Sequence, residues 1–140
     1  MFVNFDQKGV GNERILVVED EAMLRMLVEG VLQHHGYTVC SAASGEEATE
    51  VWRKQNGQFD LLLTDMMLPD GVTGHQIAQQ LRTEHPALKV IYASGFSNDL
   101  IEGGERGLTQ GINFLQKPFS TQSLVQTIRD SLNTSVEAGA

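Results

Sequence analysis

The chain has 140 residues, a formal net charge of −8 and 41% hydrophobic residues, which suits one domain with a sizeable core. The acidic balance argues against general affinity for DNA, RNA or anionic lipid, because that affinity rests on clustered Lys and Arg. One cysteine, Cys40, rules out an internal disulfide framework and a Cys-rich zinc site, and its apolar surroundings read as core. No apolar run reaches the ~18 residues of a membrane span and no signal-peptide pattern opens the chain, so a cytoplasmic domain without membrane insertion is expected.

In chain order, short apolar runs alternate with segments of helical spacing. Ile15–Val18 reads as a buried strand. Ala22–His35 follows as a helix with Met23, Met26, Leu27, Gly30 and Val31 on its inward stripe, and Gly36 is expected just past its C-cap. Tyr37–Cys40 predicts a second strand. Ser44, with Glu47 three residues on, fits a capping box that opens a helix over Gly45–Gln55, with Ala48, Val51 and Trp52 inward. Leu61–Leu63 predicts the third strand. Gly74–Glu84 predicts a helix with Ile77, Ala78 and Leu81 inward, stopped at His85-Pro86. Val90–Ala93 predicts the fourth strand. The crossover over Asn98–Gly111 carries Gly103, Gly104, Gly107 and Gly111; each costs a helix about 1 kcal/mol, so a short or mobile fourth helix is expected. Ile112–Leu115 predicts the fifth strand. Ser120–Leu132 predicts the last helix, with Ser120 as its cap and Leu124, Val125, Ile128 and Leu132 inward.

Such alternation implies βαβ units, an α/β class and a parallel sheet. Residues 1–13 and 133–140 read as an N-terminal tail or linker and a C-terminal tail around a domain over 14–132.

In sheets of this kind ligands sit beyond the carboxyl ends of the strands. There the sequence sets Glu19, Asp20 and Glu21 after the first strand, Asp65 after the third, Ser94-Gly95 after the fourth and Lys117-Pro118 after the fifth. Converging carboxylates repel one another and raise their own pKa values unless a cation joins them. Mg²⁺, a hard ion that takes oxygen ligands, fits that role. A carboxylate such as Asp65 can attack phosphorus, Lys117 can offset the charge that develops, and Ser94 can donate to a phosphate oxygen. Singly, each residue has a plainer reading. The acidic trio suits a helix N-terminus, Asp65 and Ser94-Gly95 suit turns, and Lys117 suits solvent. Their joint placement after four different strands favours the phosphoryl chemistry. His34, His35, His75 and His85 read as surface or loop residues, and Met66-Met67-Leu68 as packing over the site.

With these residues in place, the chain resembles the receiver domains of two-component response regulators, over about Arg14 to Leu132. The pieces that carry the resemblance are ILVVEDE at Ile15–Glu21, LLLTDMMLPDGVTG at Leu61–Gly74, VIYASGF at Val90–Phe96 and FLQKPF at Phe114–Phe119. The resemblance implies a flavodoxin-like, doubly wound, five-stranded parallel sheet of order 2-1-3-4-5. It implies Asp65 as phosphoacceptor, Asp20 as a direct Mg²⁺ ligand, Glu19 as a ligand through water, and Met67 as a ligand through its backbone carbonyl. It further implies that Ser94 and Lys117 meet the phosphoryl group, that Phe114 is the aromatic switch residue, and that the Lys117–Pro118 peptide is cis.

The sequence departs from the family's usual form in three places. Glu19 stands where aspartate is also common, the loop Pro69–Gly74 is one residue longer than usual, and Phe114 lacks a phenolic hydroxyl. The Ser94-Gly95-Phe96 motif and the glycine-rich fourth crossover resemble receivers of hybrid histidine kinases.

The expected function is therefore a phosphoacceptor switch rather than an enzyme, served by a histidine kinase or histidine phosphotransfer protein. A monomer or weak dimer is expected, without nucleic acid as partner and without an output domain after Leu132. An aspartyl-phosphate phosphohydrolase is one rival; it needs a second aspartate two residues after the nucleophile, where Met67 cannot transfer a proton. A receiver that serves only as an unphosphorylated docking module is the other.

Overall fold

The computed structural model describes residues 13–95 and 113–133. Five strands, β1 (Arg14–Val18), β2 (Thr38–Ala42), β3 (Leu61–Asp65), β4 (Lys89–Ser94) and β5 (Phe114–Gln116), pair in parallel in the order β2-β1-β3-β4-β5. Four helices are described: α1 (Ala22–His34), α2 (Gly45–Lys54), α3 (Gly74–Glu84) and α4 (Thr121–Asn133). Alternation along the strands sends Leu16, Val18, Leu62, Val90, Tyr92 and Phe114 into one core with Ala48, Trp52, Ile77 and Leu81 of α2 and α3. Ile15, Val17, Leu61, Leu63, Ile91 and Leu115 point the other way, against Val28 and Leu32 of α1 and Leu124 and Ile128 of α4. The sheet is thus covered on both faces, as expected of a doubly wound fold. The glycine-rich crossover, with the short helix expected there, and Ile112 of the fifth predicted strand lie outside the described residues.

Helix ends follow local chemistry. Gly36, at φ 96°, donates to Gln33 O while Tyr37 N–H reaches Leu32 O, the paired bonds of a Schellman motif. Tyr37 therefore closes the helix, and β2 starts one residue later than predicted, with Thr38 N–H on Glu13 O. Ser120 caps α4 by accepting Ser123 N–H. His85 forms the C-cap of α3 as expected.

Two expectations need correction. The stripe predicted to bury α1 is largely in solvent: Met23 is 80% exposed, Met26 67% and Leu27 54%. Val31 of that stripe does pack on the core, but its neighbours there are Leu24, Val28 and Leu32. Both stripes satisfy a 3.6-residue period, and a helix that is apolar over so wide an arc does not announce which side the sheet takes. The capping box at Ser44 is only half made. Its hydroxyl accepts Glu47 N–H, but the Glu47 carboxylate takes Ala43 N–H rather than that of Ser44. A reciprocal box does occur at Thr73 and Gln76, at the start of α3.

The loop after β3 is a short hairpin. Met67 and Thr73 form an antiparallel bridge, flanked by Gly74 N–H to Met66 O and Leu68 N–H to Val72 O, and Gly71 turns the chain at φ 83°. Gly74 is wedged against Asp65, so a Cβ there would overlap the Asp65 carbonyl oxygen. The overlap is with backbone and cannot be relieved by a rotamer change. Gly74→Ala should cost about 1–3 kcal/mol in urea denaturation, where an ordinary exposed N1 position would gain from alanine.

Candidate functional site

The site forms where four strands end. At the tip of β1, Glu19 N–H bonds Ala42 O and its carbonyl accepts the Arg25 guanidinium at 2.9 Å. Its carboxylate turns back to take Glu21 N–H at 3.0 Å. The bend so formed leaves Asp20 exposed at the mouth and makes Glu21 the N-cap of α1. Asp65 is the last residue of β3 and only 5% exposed. Ser94 ends β4 and is likewise buried, and its carbonyl accepts Lys117 N–H at 2.8 Å. Lys117, just past β5, sends its ammonium across to the tips of β1 and β3, 2.9 Å from Glu19 Oε1 and 2.8 Å from Asp65 Oδ1. The Lys117–Pro118 peptide is cis.

Asp20, Asp65, Met66, Met67, Ser94 and Lys117 line one cavity of about 140 Å³, with Glu19 reached through Lys117. The predicted residues of Asp20, Asp65, Met67, Ser94 and Lys117 are thus brought together. Phe114 is not among them. Its ring is fully buried in the core beside Tyr92. Pro118 lines the neighbouring groove with Met23, Leu27 and Phe119. Trp52 lies at the other end of the sheet, its indole N–H on Glu84 and its ring stacked on Phe59.

The electrostatics are unbalanced. Burial pushes the Asp65 carboxyl up, Lys117 opposes it, Glu19 adds to it, and the result is a rise from 3.8 to about 7. Burial acts to lower Lys117, yet Asp65 and Glu19 outweigh it and hold the ammonium above its usual range. The two rises have different causes: burial, helped by Glu19, outweighs Lys117 at Asp65, whereas two carboxylates around one ammonium favour the charged form of Lys117. Asp65 Oδ1 is in ion-pair range of Lys117 yet buried without an aligned hydrogen bond. Among the described residues, Glu19, Asp20 and Asp65 offer carboxylate oxygens within 4.8 Å of one another. A hard divalent cation suits this donor set, whose three carboxylates share one neighbouring ammonium. The Met67 carbonyl takes no part in the bonds that flank its bridge, which leaves it available as a further oxygen donor.

Sequence reasoning passed over three contributors. Asp70, in the hairpin, accepts Glu46 N–H at 3.0 Å and so ties the acceptor loop to the start of α2. Desolvation acts to raise this carboxyl, but the N–H groups of Glu46, Gly45, Val72 and Asp70 itself together hold it below the usual range. Tyr92, whose phenol burial pushes up, lies 3.4 Å through its hydroxyl from His75 Nδ1 at the start of α3. Its place two residues before Ser94 on the same strand was the available signal. The third is the exposed stripe of α1, beside the groove that Lys117 also lines.

Comparison with known proteins gives a consistent family. The response regulator receiver domain family matches residues 15–129. The sensor kinase CckA of Brucella abortus is 37% identical over 124 residues, covering 87% of this chain and 13% of that protein. The probable transcriptional regulatory protein TcrX of Mycobacterium tuberculosis is 34% identical over 131 residues, covering 90% of this chain and 54% of that protein. The chain therefore spans about half or less of these curated relatives. Among solved structures, the receiver domain of the hybrid histidine kinase CckA superposes with a TM-score of 0.69 at 32% identity, covering 86% of this chain and 99% of that one. A response regulator receiver protein from Sinorhizobium medicae gives a TM-score of 0.75 at 29% identity, covering 87% and 95%. Among the described residues no helix is long and apolar enough to cross a membrane.

An acid whose folded pKa exceeds its unfolded value binds more protons in the native state between the two values, so Asp65 subtracts stability as pH rises from 3.8 toward about 7. Asp65→Asn should therefore stabilise the fold more at about pH 8 than at about pH 5, by about 1 kcal/mol after discounting for solvent screening. Urea denaturation with chelator present measures this; an equal gain at both pH values would contradict it.

Proposed function

The chain belongs to the response regulator receiver domain family, and from that premise we propose that it is a cytoplasmic phosphorelay switch whose acceptor is Asp65. The donor is a phosphohistidine carried by a histidine kinase or histidine phosphotransfer protein. A carboxylate oxygen of Asp65 bonds phosphorus as the phosphorus–nitrogen bond breaks and its electron pair returns to the imidazole. The observation that carries this reading is the buried carboxylate of Asp65, held 2.8 Å from the Lys117 ammonium beside Glu19 and Asp20 in a cavity shared with Ser94.

The other residues have definite tasks in this reading. Asp20, Asp65 and the Met67 carbonyl would hold Mg²⁺, with Glu19 one water further out. When bound, the ion supplies neutralisation of charge on the phosphoryl oxygens. Burial of Asp65 excludes bulk water from the nucleophile. Lys117 follows the growing charge from Asp65 Oδ1 toward the phosphoryl group, and Ser94 donates a hydrogen bond to it. The attached group brings about −1.5 to −2 charges into the pocket and biases a two-state equilibrium. Phe114 is the switch residue whose buried ring the phosphorylated state retains, its outward turn belonging to the other state. Because Gly74 packs on Asp65 and Asp70 holds α2, movement at the acceptor reaches α2 and α3 directly.

The partner's surface follows from access. A protein that delivers phosphohistidine to Asp65 must cover the rim of the cavity. That rim includes a groove of about 710 Å³ lined by Glu21, Met23, Leu24, Leu27, Lys117 and Phe119. The exposed thioethers and leucine of α1 would be buried there. With a net charge of −8, nucleic acid is not among the partners proposed, and a monomer or weak dimer suffices.

Incubation with acetyl phosphate and Mg²⁺ should add one phosphoryl group by intact mass, and Asp65→Asn should add none while remaining folded. Chelation should reduce labelling to background. Unimpaired labelling of Asp65→Asn, or repeated turnover of phosphomonoesters, would refute the assignment.

A further inference from the structure

Among the described residues the exposed large hydrophobic side chains are Met23, Met26, Leu27 and Met67. Three are methionines, 80%, 67% and 65% exposed, at the end of the sheet where Asp65 lies. Met23 lines the groove that contains Lys117, and Met26 follows one turn along the same stripe. Leucine would present as much apolar surface at such positions. Methionine adds a polarizable sulfur that two-electron oxidants attack, and attack follows exposure. Met66 supplies an internal contrast, being 8% exposed and part of the core.

Resting on the acceptor and docking reading above, we propose that Met23 and Met26 make the partner-docking surface oxidisable, so that peroxide slows phosphoryl delivery without altering the acceptor chemistry of Asp65. The thioether sulfur gives an electron pair to a peroxide oxygen and the O–O bond breaks. The sulfur becomes a sulfoxide, oxidised by two electrons, and the peroxide is reduced to water. The polar, chiral sulfoxide no longer favours burial under a partner. Methionine sulfoxide reductases reverse the change, which makes the stripe a switch and not only a lesion.

The test is carried out on the full chain with Met67→Leu throughout, since Met67 borders the acceptor cavity. Hydrogen peroxide is applied, oxidation is mapped by peptide mass, and transfer is timed from a phosphorylated histidine kinase chosen for transfer to the untreated chain. Acetyl phosphate serves as the small donor that needs no docking. Oxidation is expected at Met23 and Met26 and not at Met66. Kinase transfer should slow about tenfold, a loss on the scale of the apolar area removed from the interface. Acetyl phosphate labelling should keep its rate, and reductase treatment should restore kinase transfer. A chain that also carries Met23→Leu and Met26→Leu should hold its own untreated rate after peroxide. Unchanged kinase transfer to the oxidised chain, or equal slowing of the leucine chain, would overturn the proposal. Failure of acetyl phosphate to label the untreated chain would overturn the acceptor reading itself, and this inference with it.

Discussion

One ammonium stands between two buried carboxylates, and the rest of the site depends on that unequal match. The sheet order creates it. Glu19 and Asp65 end adjacent strands, while Lys117 leaves the edge strand two places away and reaches over β4 on its flexible stem. Hydrophobic burial on both faces fixes the strands, so the carboxylates cannot separate to relieve their repulsion. The residual negative charge persists in a partly desolvated place, where a cation or a transferring phosphoryl group with its ion has the most to gain.

The acceptor strand does not end in a free loop. It continues into a hairpin closed by the Met67–Thr73 bridge, anchored to α2 by Asp70 and seated against α3 by Gly74. Each link is short and made largely of backbone. Such a loop moves as a unit with the helices it touches, which is how a local charge becomes a change of surface.

Much of this was legible in the sequence because the signals were local and one-sided. Short, largely apolar runs gave the strands, and the acidic trio, Asp65, Ser94 and Lys117 fell at their tips by counting alone. Gly36 and Ser120 announced their caps. What escaped was whatever depended on a choice between equivalent faces or on distant partners. Met23, Met26 and Leu27 obey the same period as Leu24, Val28 and Leu32, and only the sheet decides between them. Glu47 had two N–H groups within reach and took that of Ala43. Asp70 drew no notice in its loop because the N–H it accepts lies 24 positions away in the chain. The inward ring of Phe114 could be named from sequence but its state could not, because a rotamer is set by the packing around it.

The placement of Trp52 has a practical bearing. The only tryptophan of the chain is buried at the pole of the sheet opposite the acidic cavity, fixed by Glu84 and stacked on Phe59. Its emission is set by the core that α2 shares with Phe59 and the end of α3, and a change at Asp65 reaches that core only along the helices. Indole fluorescence thus registers loss of the fold at the far end of the sheet, and a reporter placed near the cavity could be read beside it as a separate channel.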